Sequence, residues 1–106
     1  MRKNIVAGNW KMNMGLKEGV QLFSELRQLI NEEVKGDQEA VVCPPFIHIS
    51  SFSQSFASTS RLSLGAQNCH QADSGAFTGE ISASMLASAG ARYVIIGHSE
   101  RRLYFS

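Results

Sequence analysis

Tyr93-Val94-Ile95-Ile96-Gly97-His98-Ser99-Glu100 is a short apolar run, rich in β-branched residues, that breaks at a glycine into polar groups. Such a run reads as a strand buried on both faces, with its chemistry gathered at the carboxyl end. Ser99 can cap a following helix through its hydroxyl, and Glu100 falls in the favourable first turn. The head of the chain has the same build: Ile5-Val6-Ala7 runs into Gly8-Asn9-Trp10-Lys11-Met12-Asn13. Between these two strands the pattern alternates. Leu16, Val20, Phe23, Leu26 and Ile30 recur at helical steps, and Lys35-Gly36-Asp37 supplies a stop signal. Ala40-Val41-Val42-Cys43 is a second strand, ended by Pro44-Pro45. Ile49, Phe52 and Phe56 mark a serine-rich helix, residues 62–67 a third strand, and residues 68–79 a polar, glycine-rich loop. Ile81, Met85 and Leu86 predict a third helix ending near Gly90.

The order β-α-β-α-β-α-β predicts a parallel sheet with right-handed crossovers. Periodicity leaves two architectures open, an open doubly wound sheet and part of a closed barrel. No internal repeat, low-complexity tract or linker divides the 106 residues. A net charge of +1, with 43% hydrophobic and 18% charged residues, describes a globular chain and gives no reason to expect nucleic acid or an anionic membrane as partner. No apolar run approaches the roughly 20 residues of a membrane span, and the N-terminus lacks a secretory apolar core, so a cytoplasmic location is expected. The two cysteines, Cys43 and Cys69, are expected as reduced thiols.

Ligands of parallel α/β folds collect at the carboxyl ends of the strands. Strand alternation, if it persists, sets Ile5, Ala7, Asn9 and Lys11 on one side and Val6, Gly8, Trp10 and Met12 on the other. A lysine and an amide at a strand end form a donor-rich spot for an anionic or carbonyl substrate; the alternative is a solvated loop lysine and a turn asparagine. His98 beside a helix N-terminus would be held neutral and able to donate to a developing oxyanion. It can equally be a core or loop histidine with satisfied hydrogen bonds. Glu100 is either a helix-cap carboxylate or an ionisable group beside the histidine and lysine, and Arg101 and Arg102 read as salt-bridge partners. Cys43, His48, Cys69 and His70 lack zinc-ligand spacing, and neither a nucleotide-binding glycine loop nor a serine-hydrolase elbow occurs. The Phe and Met positions are expected in the core.

Five motifs in order resemble the triosephosphate isomerase family. Gly8-Asn9-Trp10-Lys11-Met12-Asn13 is similar to its first-strand motif and Cys43-Pro44-Pro45-Phe46 to its second-strand exit. Gly65-Ala66-Gln67-Asn68 and Gly75-Ala76-Phe77-Thr78-Gly79-Glu80 resemble its third strand and third loop. The stretch from Tyr93 to Arg102 resembles its fourth-strand signature.

The resemblance implies a TIM (β/α)8 barrel that interconverts dihydroxyacetone phosphate and glyceraldehyde 3-phosphate without cofactor or metal, in glycolysis and gluconeogenesis. This family is itself the standing example of a neutral catalytic histidine paired with a glutamate base, so those assignments come with the resemblance. It assigns Lys11 as electrostatic anchor for the substrate, Asn9 as supporting donor, His98 as the electrophile that polarises the carbonyl, and Glu100 as a nearby ordering or proton-relay carboxylate. Family members are homodimers. Residues 69–80 resemble the loop that enters the neighbouring subunit, with Thr78 steadying the partner's site and Met14 where that loop is received. A barrel of this kind needs eight strands and about 250 residues. Residues 1–106 are therefore expected to be the N-terminal part of one barrel domain, without internal boundary. The glutamate base, the closing lid and the glycine-rich phosphate site fall outside it. The chain alone is expected to be inactive, and a separate C-terminal fragment could complete it. Alternatives are a non-catalytic assembly module that associates through open sheet edges or the third loop, or an unrelated anion-binding α/β domain.

Overall fold

β-Branched and apolar runs form the strands, and amphipathic stretches the helices, of a computed structural model that describes residues 4–33, 38–54 and 61–96. The elements are β1 (Asn4–Asn9), α1 (Leu16–Glu33), β2 (Gln38–Cys43), α2 (Ile49–Ser53), β3 (Leu62–Ala66), α3 (Ala83–Ala89) and β4 (Tyr93–Val94). The expected helix stop at Lys35-Gly36-Asp37, Phe56 of the second helix, and everything from Gly97 onward lie outside the described residues. Pro44-Pro45 ends β2, as two residues without a donor must. A single 3₁₀ turn, Phe46–His48, which periodicity does not predict, leads into α2. α3 starts at Ser82, whose Oγ accepts the Met85 N–H at 3.2 Å, and ends at Gly90, whose φ of 112° gives the left-handed exit that glycine adopts without Cβ penalty.

All pairings are parallel and the strand order is β1-β2-β3-β4. That order decides between the two architectures left open above. A doubly wound sheet lays down two or three strands and then crosses back to the far side of its first strand, leaving that strand mid-sheet; here each crossover through β4 adds the next strand on the same side, as a barrel requires. Right-handed crossovers of constant direction lay all helices on one face. Phe23 of α1, Ile49 and Phe52 of α2 and Leu86 of α3 accordingly form one core with Val42, Leu62, Leu64 and Ala66. Phe23 and Phe52 stack with centroids 4.2 Å apart, and Trp10 packs against the same cluster.

The alternate residues form the other face. Cys43 and Val41 crowd Gly65, where a Cβ would lie 2.7 Å from the Cys43 Sγ. Toward the amino ends of the strands, buried Glu39 accepts from Ser63 Oγ at 2.6 Å and Tyr93 Oη at 3.2 Å.

Two expectations are corrected. The α1 face that packs runs through Gly19, Phe23, Leu26 and Ile30, while Leu16 and Val20 are 63% and 47% exposed. The stripe turns toward Gly19 because His48 packs there. Nor are the Phe and Met positions uniformly core: Met12, Met14, Met85, Phe46 and Phe77 are exposed. Four of these five lie outside the α-helices, where helical spacing carries no burial information, and Met85 lies on the outer side of α3.

Candidate active site at the strand exits

Because the strands are parallel, Asn9, Cys43, Ala66 and Val94 all end at one edge of the sheet. Asn9 pairs with Cys43 in the last register position of β1. Its Oδ1 accepts the Lys11 N–H at 2.8 Å, an asparagine turn that peels the chain off the sheet. The turn residue foreseen as one alternative for Asn9 is thus present, and it does not exclude a role for the amide nitrogen. Lys11 has φ of 56°, in the left-handed region, so strand alternation stops at Trp10 and the pleat no longer sets the direction of Lys11. Met14 is also left-handed, with φ of 78°.

Several bonds from elsewhere hold this loop. The Trp10 N–H donates to the Cys43 carbonyl at 3.0 Å, and Asn13 Nδ2 donates to the Trp10 carbonyl at 2.8 Å. Gln67, just past β3, donates through Nε2 to the carbonyls of Lys11 and Cys43, each at 2.9 Å. His48 Nε2 lies 2.8 Å from the Met14 carbonyl; since a carbonyl only accepts, the ring donates there. The His48 ring is fully buried, stacked on Phe52 at 5.0 Å and edge-on to Trp10 at 6.0 Å. Sequence reading did not assign Gln67 or His48 to the site. Period-two counting along Ser63, Gly65 and Gln67 would have set Gln67 on the inner side beside Cys43; for His48 no local signal existed.

Thr78 lies on another loop, in a turn closed by the Glu80 N–H on the Phe77 carbonyl at 2.9 Å, with Gly79 at φ of 90°. A turn needing positive φ at its third residue explains that glycine and presents Thr78 at an exposed tip. The base of the loop is closed by a bridge between His70 and Ser82, and the His70 and Phe77 rings lie 4.2 Å apart. Met14 and Thr78 are both exposed. His98 and Glu100 lie outside the described residues.

Two cavities, of about 240 and 190 Å³, flank this second loop, the first lined by His70, Phe77 and Met85 and the second by Phe46, Gln67 and Gly79. Neither has Asn9 or Lys11 in its wall. A barrel mouth is enclosed by loops from all eight strands, so four strand exits offer an open ledge. Beside that ledge, burial pushes the Cys43 thiol above its ordinary pKa, leaving it protonated and a poor nucleophile. No group of three or more potential metal ligands occurs among the described residues, and no helix there is long and apolar enough to cross a membrane.

Fold and site together define a singly wound parallel α/β protein with an amide and a lysine at the exit of its first strand. The sequence model of the family described as Triosephosphate isomerase matches residues 4–106, and the chain belongs to that family. It is 51% identical over 105 residues to the triosephosphate isomerase of Bacteroides fragilis and 52% identical over 105 residues to that of Cytophaga hutchinsonii. To that of Porphyromonas gingivalis it is 52% identical over 108 residues. Each match takes in 99% of this chain but 41% of the relative, so the chain spans about two fifths of their length. Its sheet is accordingly a curled part of a TIM (β/α)8 barrel.

Proposed function

We propose that residues 1–106 form the N-terminal part of a single barrel domain that supplies one side of the active-site mouth of a triose-phosphate isomerase. The reaction is the cofactor-free interconversion of dihydroxyacetone phosphate and glyceraldehyde 3-phosphate through an enediolate. The observation that carries this reading is the fixed exit of β1, where Asn9 and a left-handed Lys11 are held together at the carboxyl edge of the sheet. The Asn9 Oδ1 is committed to the Lys11 N–H, so Nδ2 is the end of that amide left to donate to substrate. The Lys11 ammonium anchors the anionic substrate, a charge-assisted interaction that strengthens as negative charge develops on the enediolate. His98, as a neutral imidazole, polarises the carbonyl and moves protons between the two oxygens; Glu100 orders or relays beside it. The glutamate that removes the carbon-bound proton comes from the part of the barrel this chain does not span, so the chain alone does not turn over. The working form is a cytoplasmic homodimer in which Thr78 steadies the partner's Asn9 and Lys11, and Met14 lies where the partner's loop is received.

The test is reconstitution. The chain is assayed alone and co-expressed with the C-terminal part of the Bacteroides fragilis relative, following triose phosphate turnover with a coupled dehydrogenase. Background activity alone and turnover on complementation are expected. Lys11→Met should then cost at least about 100-fold in kcat/KM, the scale of a lost hydrogen bond to a charged group plus the ion pair. Turnover by the pure chain, or full activity of complemented Lys11→Met, refutes the proposal.

A second reading, an assembly module, is favoured by the outer strands, where Val6 is 71% exposed and the residue following β4 by two, Ile96, is 81% exposed. Self-association in sedimentation velocity without rescue of activity by the C-terminal part would select it.

A further inference from the structure

An L-residue enters the left-handed region only at an energetic penalty, so a lysine with φ of 56° needs neighbours that hold it there. On its amino side Lys11 is held by Asn9, through the 2.8 Å bond to its N–H. On its carboxyl side the holder is Gln67, 56 residues further along the chain. The Gln67 carboxamide is half-buried and faces two carbonyl oxygens, those of Lys11 and Cys43, each 2.9 Å away. Both neighbours only accept, so the amide must present its nitrogen, and its two N–H groups match the two acceptors. The Cys43 carbonyl also takes the Trp10 N–H at 3.0 Å and so has both lone pairs engaged. A single side chain thus ties the first-strand exit to the ends of the second and third strands.

We infer that Gln67 is a positioning residue: its carboxamide clamps the carbonyls of Lys11 and Cys43 and thereby holds Lys11 left-handed, with its ammonium presented to the phosphorylated substrate. The inference rests on the reading of Lys11 as the anion anchor, and Gln67 itself touches no reacting atom. A methionine at 67 keeps the volume but donates nothing, whereas a glutamate turns an oxygen toward two carbonyls and repels them.

The test uses the 106-residue chain, isotope-labelled, with inorganic phosphate as probe. A left-handed residue shows a strong intraresidue Hα–HN Overhauser effect, which a change in global stability does not remove. In the unsubstituted chain that effect is expected at Lys11, together with phosphate-dependent shifts of the same residue. In Gln67→Met it should weaken, with shift changes confined to residues 9–14 and 43–44. The phosphate dissociation constant read at Lys11 should rise about tenfold, the scale of one net hydrogen bond. Gln67→Glu should be worse than Gln67→Met, and Ser63→Ala, on the strand that leads to Gln67, should change neither readout. Should Gln67→Met not fold, Gln67→Asn, which keeps an amide one methylene too short to reach both carbonyls, gives the same readout. A Lys11 that stays left-handed without Gln67, or is not left-handed with it, overturns the clamp. With a left-handed Lys11 blind to phosphate, the Overhauser effect alone decides the clamp, and full kcat/KM of complemented Lys11→Met sinks the anion-anchor reading.

Discussion

Gly19→Ala is ordinarily a stabilising change within a helix, by about 1 kcal/mol of propensity. Here it should destabilise. A Cβ at position 19 would lie 2.5 Å from His48 Cε1, 2.8 Å from Nδ1 and 3.0 Å from Nε2, so it meets the whole edge of the ring. The ring cannot step aside cheaply. It is fully buried, stacked on Phe52 and tied through Nε2 to the Met14 carbonyl. Forcing a methyl into a filled core costs about 1–3 kcal/mol, and loosening the His48 bond adds about 1 kcal/mol. Against the propensity gain, the net loss is about 1–3 kcal/mol, a fall in Tm of roughly 5–15 °C for a domain of this size. Urea denaturation of the chain followed by circular dichroism measures it, with Gly15→Ala, which meets nothing within 4 Å, as the neutral comparator. In a His48→Ala background the clash disappears, so Gly19→Ala should there recover its propensity benefit. Stabilisation by Gly19→Ala in the unsubstituted chain, or equal effects in both backgrounds, refutes the packing reasoning.

The remaining outcomes concern the inner face. Glu39→Ala should cost about 2 kcal/mol in urea denaturation, because it strands the buried Ser63 hydroxyl and the Tyr93 phenol it now accepts from. Glu39→Gln should cost less than about 1 kcal/mol, since the Arg92 ion pair it also breaks is 3.9 Å long and its arginine is 66% exposed; equal losses would show that charge dominates. Cys43, buried with its thiol pKa raised by desolvation, should react with a thiol reagent far more slowly than half-buried Cys69. A thiol pKa raised on folding means the folded state holds the proton more tightly. Its contribution is complete below the ordinary thiol pKa and is lost as pH rises through the raised one. Cys43→Ala should therefore flatten the alkaline fall of stability; an unchanged slope contradicts the burial effect.

The sequence alone determined the elements and their alternation. Ile5–Ala7, Ala40–Cys43 and residues 62–67 announce strands because apolar runs cut off by glycine, proline or asparagine are local signals, and Gly90 marks a helix end for the same reason. It also set Asn9 and Lys11 at a strand's carboxyl end and, through the order of its motifs, the family. Only the tertiary structure decided that the sheet winds in one direction, since strand order is a property of pairing and not of any one run. Only it showed Gln67 reaching Lys11 across 56 residues and Gly19 buried beneath His48. Those contacts depend on sheet register and helix rotation, which no local pattern encodes. Lys11 itself shows the division. Its position was legible in sequence, but its left-handed backbone was not, because one of the hydrogen bonds on its backbone comes from Gln67, 56 residues further along the chain.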